Sequence, residues 1–434
     1  MSKLYDSPVI GIDVAANFSV ATILNQSGDI YKKNFRFDHS LEGFNSFLDL
    51  FNKTEEELNS RPKVFCESTG IYHLTLLHFL VDRQIDIRVI NPLITNSNKN
   101  YNIRKVKNDK LDSFSIARLC KFNDVKTSFF TSKDMLQLKL LVREYYNIVD
   151  LKANAKKAFT NALYVNYPGL QHAFTDITGK TPLAFITKYP TPTDFLNASS
   201  DESLTFLISS SHKGLKWAKE KLEKLLVIAS DASVLGIAPV AFASKVKRFV
   251  DTYLFYEKQC NDILDEIKTF IDSASFAEAF NHNISLLRSF KGAGFISAVT
   301  LLAEMNDINN FTKASQLVAF FGVDPSVNES GNFKGDSNKM SKRGTAIGRR
   351  ALYALALASI RKTKAGVPMN QQLYDAYHTK LNGKKKKVRL VAIMNKLLRY
   401  IFSVLKNQKP YEVRDPRIHQ QMFMSINKNL HSAA

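Results

Sequence analysis

Val9-Ile10-Gly11-Ile12-Asp13, Phe18-Ser19-Val20-Ala21-Thr22-Ile23-Leu24-Asn25 and Ile30-Tyr31-Lys32-Lys33-Asn34-Phe35-Arg36-Phe37 are three consecutive runs whose reading decides the fold. The first is apolar and closes on an acid. The second is rich in strand-forming residues, and the third alternates like a half-buried strand. Ser27-Gly28-Asp29 supplies a tight turn, so the three runs predict an antiparallel meander. Outward from them, residues 41–58 carry Leu and Phe at helical spacing, and 63–66 form a strand ended by Glu67. Residues 72–82 then read as a helix, and 85–90 as a strand stopped by Asn91-Pro92. The order β-β-β-α-β-α-β predicts an α/β, RNase H-like domain over residues 1–131.

The rest of the chain changes texture. Residues 132–163 are long, helical and charged. Residues 168–200 hold Pro168, Pro182, Pro190 and Pro192 and predict loops with short helices. Residues 215–270 return to helix, which gives a helical middle over 132–282 that serves as linker or oligomerisation region. A mainly helical C-terminal domain follows over 283–434. In it, a helix at 284–290, the turn Lys291-Gly292-Ala293-Gly294 and a second helix at 295–305 have the form of a helix-hairpin-helix. Gly292 and Gly294 would let backbone N–H groups at a helix N-terminus approach a phosphate, with an ordinary corner between helices as the alternative. A loop over 324–340 precedes two further helices, near 348–361 and 388–406.

Composition narrows the partner. Sixty Lys and Arg against 40 Asp and Glu give the 434 residues a formal charge of +20. Such a field attracts polyanions, and nucleic acid is the expected one, with an anionic membrane surface as the competitor. No apolar run is long enough to span a bilayer, and residues 1–8 do not resemble a signal peptide. Cys66, Cys120 and Cys260 are isolated, with neither metal-ligand spacing nor a disulfide framework. A reducing, cytoplasmic compartment is expected.

Four acids stand where chemistry could gather. Asp13 ends the first strand and Glu67 the fourth. Asp109 and Asp112 lie three apart at the start of a helix over 109–120 and share one of its faces. In an RNase H-like sheet the first and fourth strands are neighbours, and a later helix crosses them. Converging carboxylates repel one another unless a cation neutralises them, and hard oxygen ligands favour Mg²⁺ or Mn²⁺. Two such ions stabilise both the attacking and the leaving oxygen of a phosphodiester. Taken singly, Asp13 also reads as a turn acid, Glu67 as an ion-pair partner and Asp109 as a helix N-cap. The surrounding Arg104, Lys105, Lys107 and Lys110 suit a phosphate-handling site, and equally a solvated basic loop.

These motifs resemble those of the IS110 family of transposases, which includes the Piv-type DNA invertases. The N-terminal likeness rests on Val9-Ile10-Gly11-Ile12-Asp13, Glu67-Ser68-Thr69-Gly70 and Lys107-Asn108-Asp109-Lys110-Leu111-Asp112. The C-terminal likeness rests on Gly292-Ala293-Gly294, Leu301-Leu302-Ala303-Glu304-Met305, Phe320-Phe321-Gly322-Val323-Asp324-Pro325, Glu329-Ser330-Gly331 and Met340-Ser341-Lys342-Arg343-Gly344. The resemblance implies a RuvC-like DEDD domain whose tetrad falls on Asp13, Glu67, Asp109 and Asp112. It also implies a serine, falling on Ser330, that attacks DNA and becomes covalently linked to it. A structured guide RNA pairing with donor and target DNA is implied by the resemblance alone.

A serine hydroxyl is a poor nucleophile without activation, and no histidine lies near Ser330 in sequence. A metal on the tetrad would supply that activation. Lys334, Lys339, Lys342 and Arg343 follow closely and would hold flanking phosphates. Ser341 and Ser337 compete for the nucleophile's role; Ser341 reads better as a cap of the next helix or a phosphate ligand. Lys384, Lys385, Lys386 and Lys387 form a second basic run that fits DNA or RNA backbone, or a solvated loop. The reading is therefore a recombinase of a mobile insertion sequence acting on donor and target DNA, as homodimers that associate into a homotetramer, with no membrane partner. Two rivals stand beside it: a metal-only nuclease of the Holliday-junction-resolvase type, and a nucleic-acid-binding protein without catalysis.

Overall fold

The computed structural model describes residues 6–68, 70–90, 109–122, 127–128, 132–211, 213–237, 239–325, 329–330, 333–334 and 339–413. The chain divides into two units, Met1–Lys133 and Asp134–Ala434.

The first unit is a six-stranded mixed sheet with helices on both faces. Strands β1 (Val9–Val14), β2 (Phe18–Leu24) and β3 (Ile30–Asp38) are followed by α1 (Leu41–Glu57), β4 (Lys63–Glu67), α2 (His73–Val81), β5 (Ile87–Ile90), α3 (Asp109–Phe122) and β6 (Thr127–Ser128). The element order through β5 is the one the hydrophobic pattern predicts. The spatial order is β3-β2-β1-β4-β5-β6. β2 runs antiparallel to both its neighbours, β4 and β5 run parallel to β1, and β6 is antiparallel. Side chains alternate across the pleat, so each strand feeds two cores. Ile10, Ile12, Ile23, Val64 and Cys66 pack on α1 and α2, where Phe44, Phe47 and Phe51 form the buried stripe of α1. Val9, Leu24, Phe65 and Ile90 pack on Ile116, Ala117 and Cys120 of α3.

Gly11 explains why α3 lies so close to the sheet. A Cβ at that position would stand 2.3 Å from the Ala117 amide nitrogen and 2.5 Å from the Ser113 carbonyl oxygen. Only glycine leaves room for the helix backbone there.

The second unit is almost wholly helical. It contains α4 (Lys133–Asn166), α5 (Lys180–Lys188), α6 (Pro192–Leu196), α7 (Ser200–Ser211), α8 (Leu215–Leu235), α9 (Pro239–Ser273), α10 (Ala277–Arg288), α11 (Phe295–Met305) and α12 (Ala314–Phe320). After these come β7 (Glu329–Ser330), β8 (Phe333–Lys334), α13 (Ala346–Ser359), α14 (Gln371–Asp375), a π-helical turn at Ala376–Lys380 and α15 (Lys386–Asn407). Two details differ from the pattern-based expectation. The helical stretch over 215–270 is two helices, because Gly236 caps α8 and Pro239 opens α9. The stretch read as a loop over 324–340 carries the β7–β8 hairpin, too short for periodicity to reveal.

Two cores hold this unit. One joins α4, α9, α10, α11, α12, α13 and α15; the other, built around Phe159, Tyr167, Phe185 and Phe195, joins α4 to α5–α9. The long helices enter both. α4 gives Leu138 and Val142 to the first and Phe159 and Leu163 to the second; α9 gives Ile263 and Ile267 to the first and Val246 and Val250 to the second. They therefore run antiparallel, with Lys152 of α4 3.3 Å from Glu257 of α9.

Candidate active site

Asp13 and Glu67 come together through strand register. β1 and β4 pair in parallel from Val9–Lys63 to Ile12–Cys66, and Asp13 and Glu67 each lie one step beyond the last pair. Neighbouring strands lie about 4.8 Å apart, so the two acids are side-by-side positions at the same sheet end. Alternation puts Asp13 on the face of Gly11 and Glu67 on the face of Phe65, the face that α3 covers. Asp112 lies in the first turn of α3, half-buried. Its successor Ser113 is buried, and the Ser113 and Thr22 hydroxyls are 2.9 Å apart, which fixes that turn against β2. Asp109 is the first residue of α3, and its side chain lies outside the described residues.

Strand register thus makes Asp13 and Glu67 neighbouring positions, and Asp112 lies on the helix that covers the same face. Each of the three already engages polar or charged neighbours. Among the described residues, no three His, Cys, Asp or Glu side chains stand close enough together to hold a metal ion. Arg104, Lys105 and Lys107 also lie outside the described residues. The nearby thiols are poor nucleophiles, because burial pushes Cys66 and Cys120 up to about 12.

Ser330 ends β7 and is paired in register with Phe333 of β8. The side chains of Ser330 and Lys334, and residues Gly331 and Ser337, lie outside the described residues. The base of this hairpin segment is pinned by backbone. Pro325 and Met340 form an isolated bridge. The Ser341 amide donates to the Asp324 carbonyl at 2.9 Å, and the Ser341 hydroxyl donates to the Asp324 carboxylate at 2.5 Å. The Lys342 amide donates to the Gly322 carbonyl at 3.1 Å, with Lys342 in the left-handed region at φ 54°. Gly344 lies so close to this crossing that a Cβ would fall 1.9 Å from the Phe320 carbonyl oxygen. The Arg349 guanidinium closes the knot with hydrogen bonds to the carbonyls of Phe321 and Gly344, at 3.3 and 2.6 Å.

This geometry corrects one expectation. Ser341 does not cap the following helix. The chain must first cross Phe320–Gly322, and Thr345 is the N-cap of α13, its hydroxyl accepting from the Gly348 amide at 3.2 Å. Sequence reasoning also missed Glu304. This carboxylate is almost wholly buried on α11, and Arg143 of α4 grips it with two hydrogen bonds of 2.9 and 3.1 Å. Lys139 stands 3.4 Å away. Burial pushes the Glu304 carboxyl upward; the Arg143 hydrogen bonds and the charges of Lys139 and Arg143 outweigh that and hold it below the usual range. Burial pulls the Lys139 ammonium down despite Glu304, so the Arg143 fork is the main counter-charge. The available signal was one acid inside the apolar run Leu301-Leu302-Ala303-Glu304-Met305.

The remaining basic positions are surface features. Gly292 has φ 94° in the turn between α10 and α11, and Gly294 is the N-cap of α11. Lys339, Lys342 and Arg343 are exposed beside the hairpin base, and Lys384, Lys385, Lys386 and Lys387 are exposed at the start of α15.

A mixed α/β unit followed by an almost wholly helical unit with exposed basic residues is the chain that two family models of transposases match. A family model described as a transposase, that of the IS110 DEDD transposases, matches residues 10–168, and a second, described as Transposase IS116/IS110/IS902 family, matches residues 284–371. The chain belongs to the IS110 family of transposases and is related to the Piv-type inverting proteins. It is 29% identical over 140 residues to the pilin gene-inverting protein of Moraxella bovis, which is 32% of this chain and 41% of that protein. It is 31% identical over 152 residues to the transposase for insertion sequence element IS1111A of Coxiella burnetii, 34% of this chain and 38% of that one. The chain thus spans about two-fifths of the length of the curated relatives it matches. No helix among the described residues is long and apolar enough to cross a membrane.

Proposed function

We propose that this chain is a DNA recombinase of a mobile insertion sequence, cutting and rejoining donor and target DNA through a serine nucleophile assisted by a divalent metal. The observation that carries the reading is the parallel β1–β4 register, which leaves Asp13 and Glu67 as neighbours on the α3 face. The strand order, with β2 reversed between β1 and β3, supports an RNase H-like, RuvC-like assignment of residues 1–131. Residues 132–282 then form the helical middle, and 283–434 the C-terminal transposase domain.

Asp13, Glu67, Asp109 and Asp112 form an all-oxygen donor set, which suits Mg²⁺ or Mn²⁺. When bound, such an ion supplies Lewis-acid stabilisation of charge on the attacked phosphate. Ser330 Oγ attacks phosphorus. The Oγ–P bond forms, one P–O ester bond of the DNA breaks, and the hydroxyl proton ends on the released deoxyribose oxygen. The phosphoserine ester conserves the broken bond, so a second DNA end can reverse the step. Lys334, Lys339, Lys342 and Arg343 hold phosphates flanking Ser330. The α10–α11 turn acts as a helix-hairpin-helix, and Lys384–Lys387 hold backbone of DNA or of a structured guide RNA. Recombination needs four strand cuts, which fits homodimers associating into a tetramer.

The test is to stop the reaction with denaturant and map the DNA-linked peptide by mass spectrometry. Ser330→Ala should abolish adduct and rejoining. Asp13→Asn should abolish cleavage while retaining DNA affinity, and Ser341→Ala should slow the reaction yet leave the adduct. Normal cutting by Ser330→Ala with no adduct in the native protein would favour the metal-only nuclease.

A further inference from the structure

The π-helical turn Ala376–Lys380 continues α14 with one widened turn, closed by the Leu381 amide donating to the Ala376 carbonyl at 3.0 Å. Such i→i+5 turns are uncommon and recur at functional sites. The widening brings residues four apart nearly one above the other, and two of them are Tyr374 and His378. Their rings stack with centroids 4.2 Å apart and planes 35° from parallel. Tyr377 is buried and meets the His378 ring edge-on at 4.9 Å. The Arg389 guanidinium lies 4.6 Å from the Tyr377 ring centre and donates to its carbonyl at 3.3 Å, so α15 holds the turn in place. The Lys362 ammonium lies 5.1 Å from the Tyr374 ring centre. Tyr374 is half-buried, whereas His378 is exposed. His378 is therefore the open end of a pile of rings that is fixed from within.

The surroundings select the ligand. Residues 361–390 hold nine Lys and Arg against one acid, Asp375, which accepts from Gln371 Nε2 at 2.8 Å. Lys380, Lys384, Lys385, Lys386 and Lys387 are exposed. A small apolar ligand gains nothing from that charge, and a duplex keeps its bases from the ring. A strand with an unpaired base offers phosphates to the lysines and a π-face to the ring.

We propose that Tyr374 and His378 form a stacking platform for an unpaired nucleobase, whose strand runs on over Lys380 and residues 384–387. This deepens the recombinase reading and rests on it. Stacking reads neither the sugar nor the base sequence, so DNA and RNA strands share the chemistry.

The test uses the full chain. Fluorescence anisotropy gives its affinity for a short DNA strand, the same strand in RNA, an abasic DNA strand and the DNA duplex, with the thermal midpoint taken alongside. A DNA strand carrying 5-iodouracil is also irradiated on the chain, and the crosslinked peptide is mapped by mass spectrometry. His378→Ala should weaken binding of the DNA or RNA strand about fivefold or more, the low end of what one stacked base is worth. Duplex affinity and midpoint should not move. His378→Phe keeps a ring and should stay within about twofold of the native chain. The abasic strand should bind the native chain and His378→Ala equally, and the crosslink should fall on Tyr374 or His378. The tighter of the DNA and RNA arms names the strand that uses the platform. Strand affinity indifferent to His378→Ala overturns this proposal alone. So does an equal loss on the duplex, a His378→Phe variant as weak as His378→Ala, or a crosslink elsewhere. A native chain that binds neither strand nor duplex overturns the recombinase reading itself, and the platform with it.

Discussion

At the scale of single residues, Glu304 gives a pH dependence whose sign can be worked out. Its folded-state carboxyl sits below the ordinary value, so the unfolded chain binds the proton more tightly. The stabilisation is complete above the unfolded carboxyl range, about 4.3, and is lost as pH falls through the folded value. Unfolding followed from pH 7 to pH 3 should show native stability declining below about pH 5, and Glu304→Gln should decline less over that window. At pH 7 the same variant should lose about 3 kcal/mol, since it leaves the largely buried Lys139 and the partly exposed Arg143 facing a neutral amide. The half-exposed Arg143 side chain keeps the loss at the lower end of that class. Equal slopes for the two proteins would show that this carboxyl does not govern acid stability. Individual acids such as Asp13 were legible in sequence because strand ends are. Glu304 was not, because its partners Arg143 and Lys139 are about 160 residues away, and ion pairing at that separation leaves no local pattern.

At the scale of elements, helix α3 and its seat are the sensitive pair. Gly11→Ala would drive a methyl group into the Ala117 and Ser113 backbone. Overpacking of this kind costs about 1–3 kcal/mol, and backbone atoms can give less than side chains. The expected outcome is a lower thermal midpoint together with a cleavage defect, because α3 carries Asp112. A variant that cleaves normally with α3 displaced would argue against Asp112. The start of α15 makes the opposite kind of prediction. Lys385 is its N-cap, and Lys386 and Lys387 occupy its first turn, where positive charge opposes the helix dipole. Changing Lys384–Lys387 to Gln should leave stability unchanged or raise it. The same change should reduce the slope of log affinity against log salt by up to about 0.9 for each phosphate no longer neutralised. An unaltered slope would remove this run from the binding surface. Elements with long periodicity, β1 to β5 and the helices α10, α11, α13 and α15, could be read from the chain; the short α12 and α14 were not. The β7–β8 hairpin could not, since two-residue strands carry no alternation.

At the scale of the whole molecule, the +20 charge and one set of acids per chain bear on assembly. Mixing Asp13→Asn with Ser330→Ala protein tests whether one protomer's acids serve another's serine. Recovered cleavage in mixed assemblies would mean shared sites; dead mixtures that still co-assemble would mean each site is built from one chain. Stability and DNA binding should report on different parts of the chain. The apolar cores set the first, whereas the second should weaken steeply as salt rises.

The pairing of α4 with α9 also restricts how this chain can change in length. Each helix enters two cores and is therefore indexed at both ends. One residue added to α4 between Tyr146 and Ala155 would turn everything beyond it by about 100° and advance it about 1.5 Å. Phe159 and Leu163 would then face away from their core. Only steps that nearly restore the angle, such as seven, eleven or eighteen residues, keep both ends in phase. The same step must be taken in α9 between Tyr253 and Ile263, so that Lys152 still meets Glu257. Length along this pair is quantised and shared, whereas a surface loop elsewhere can grow by any number.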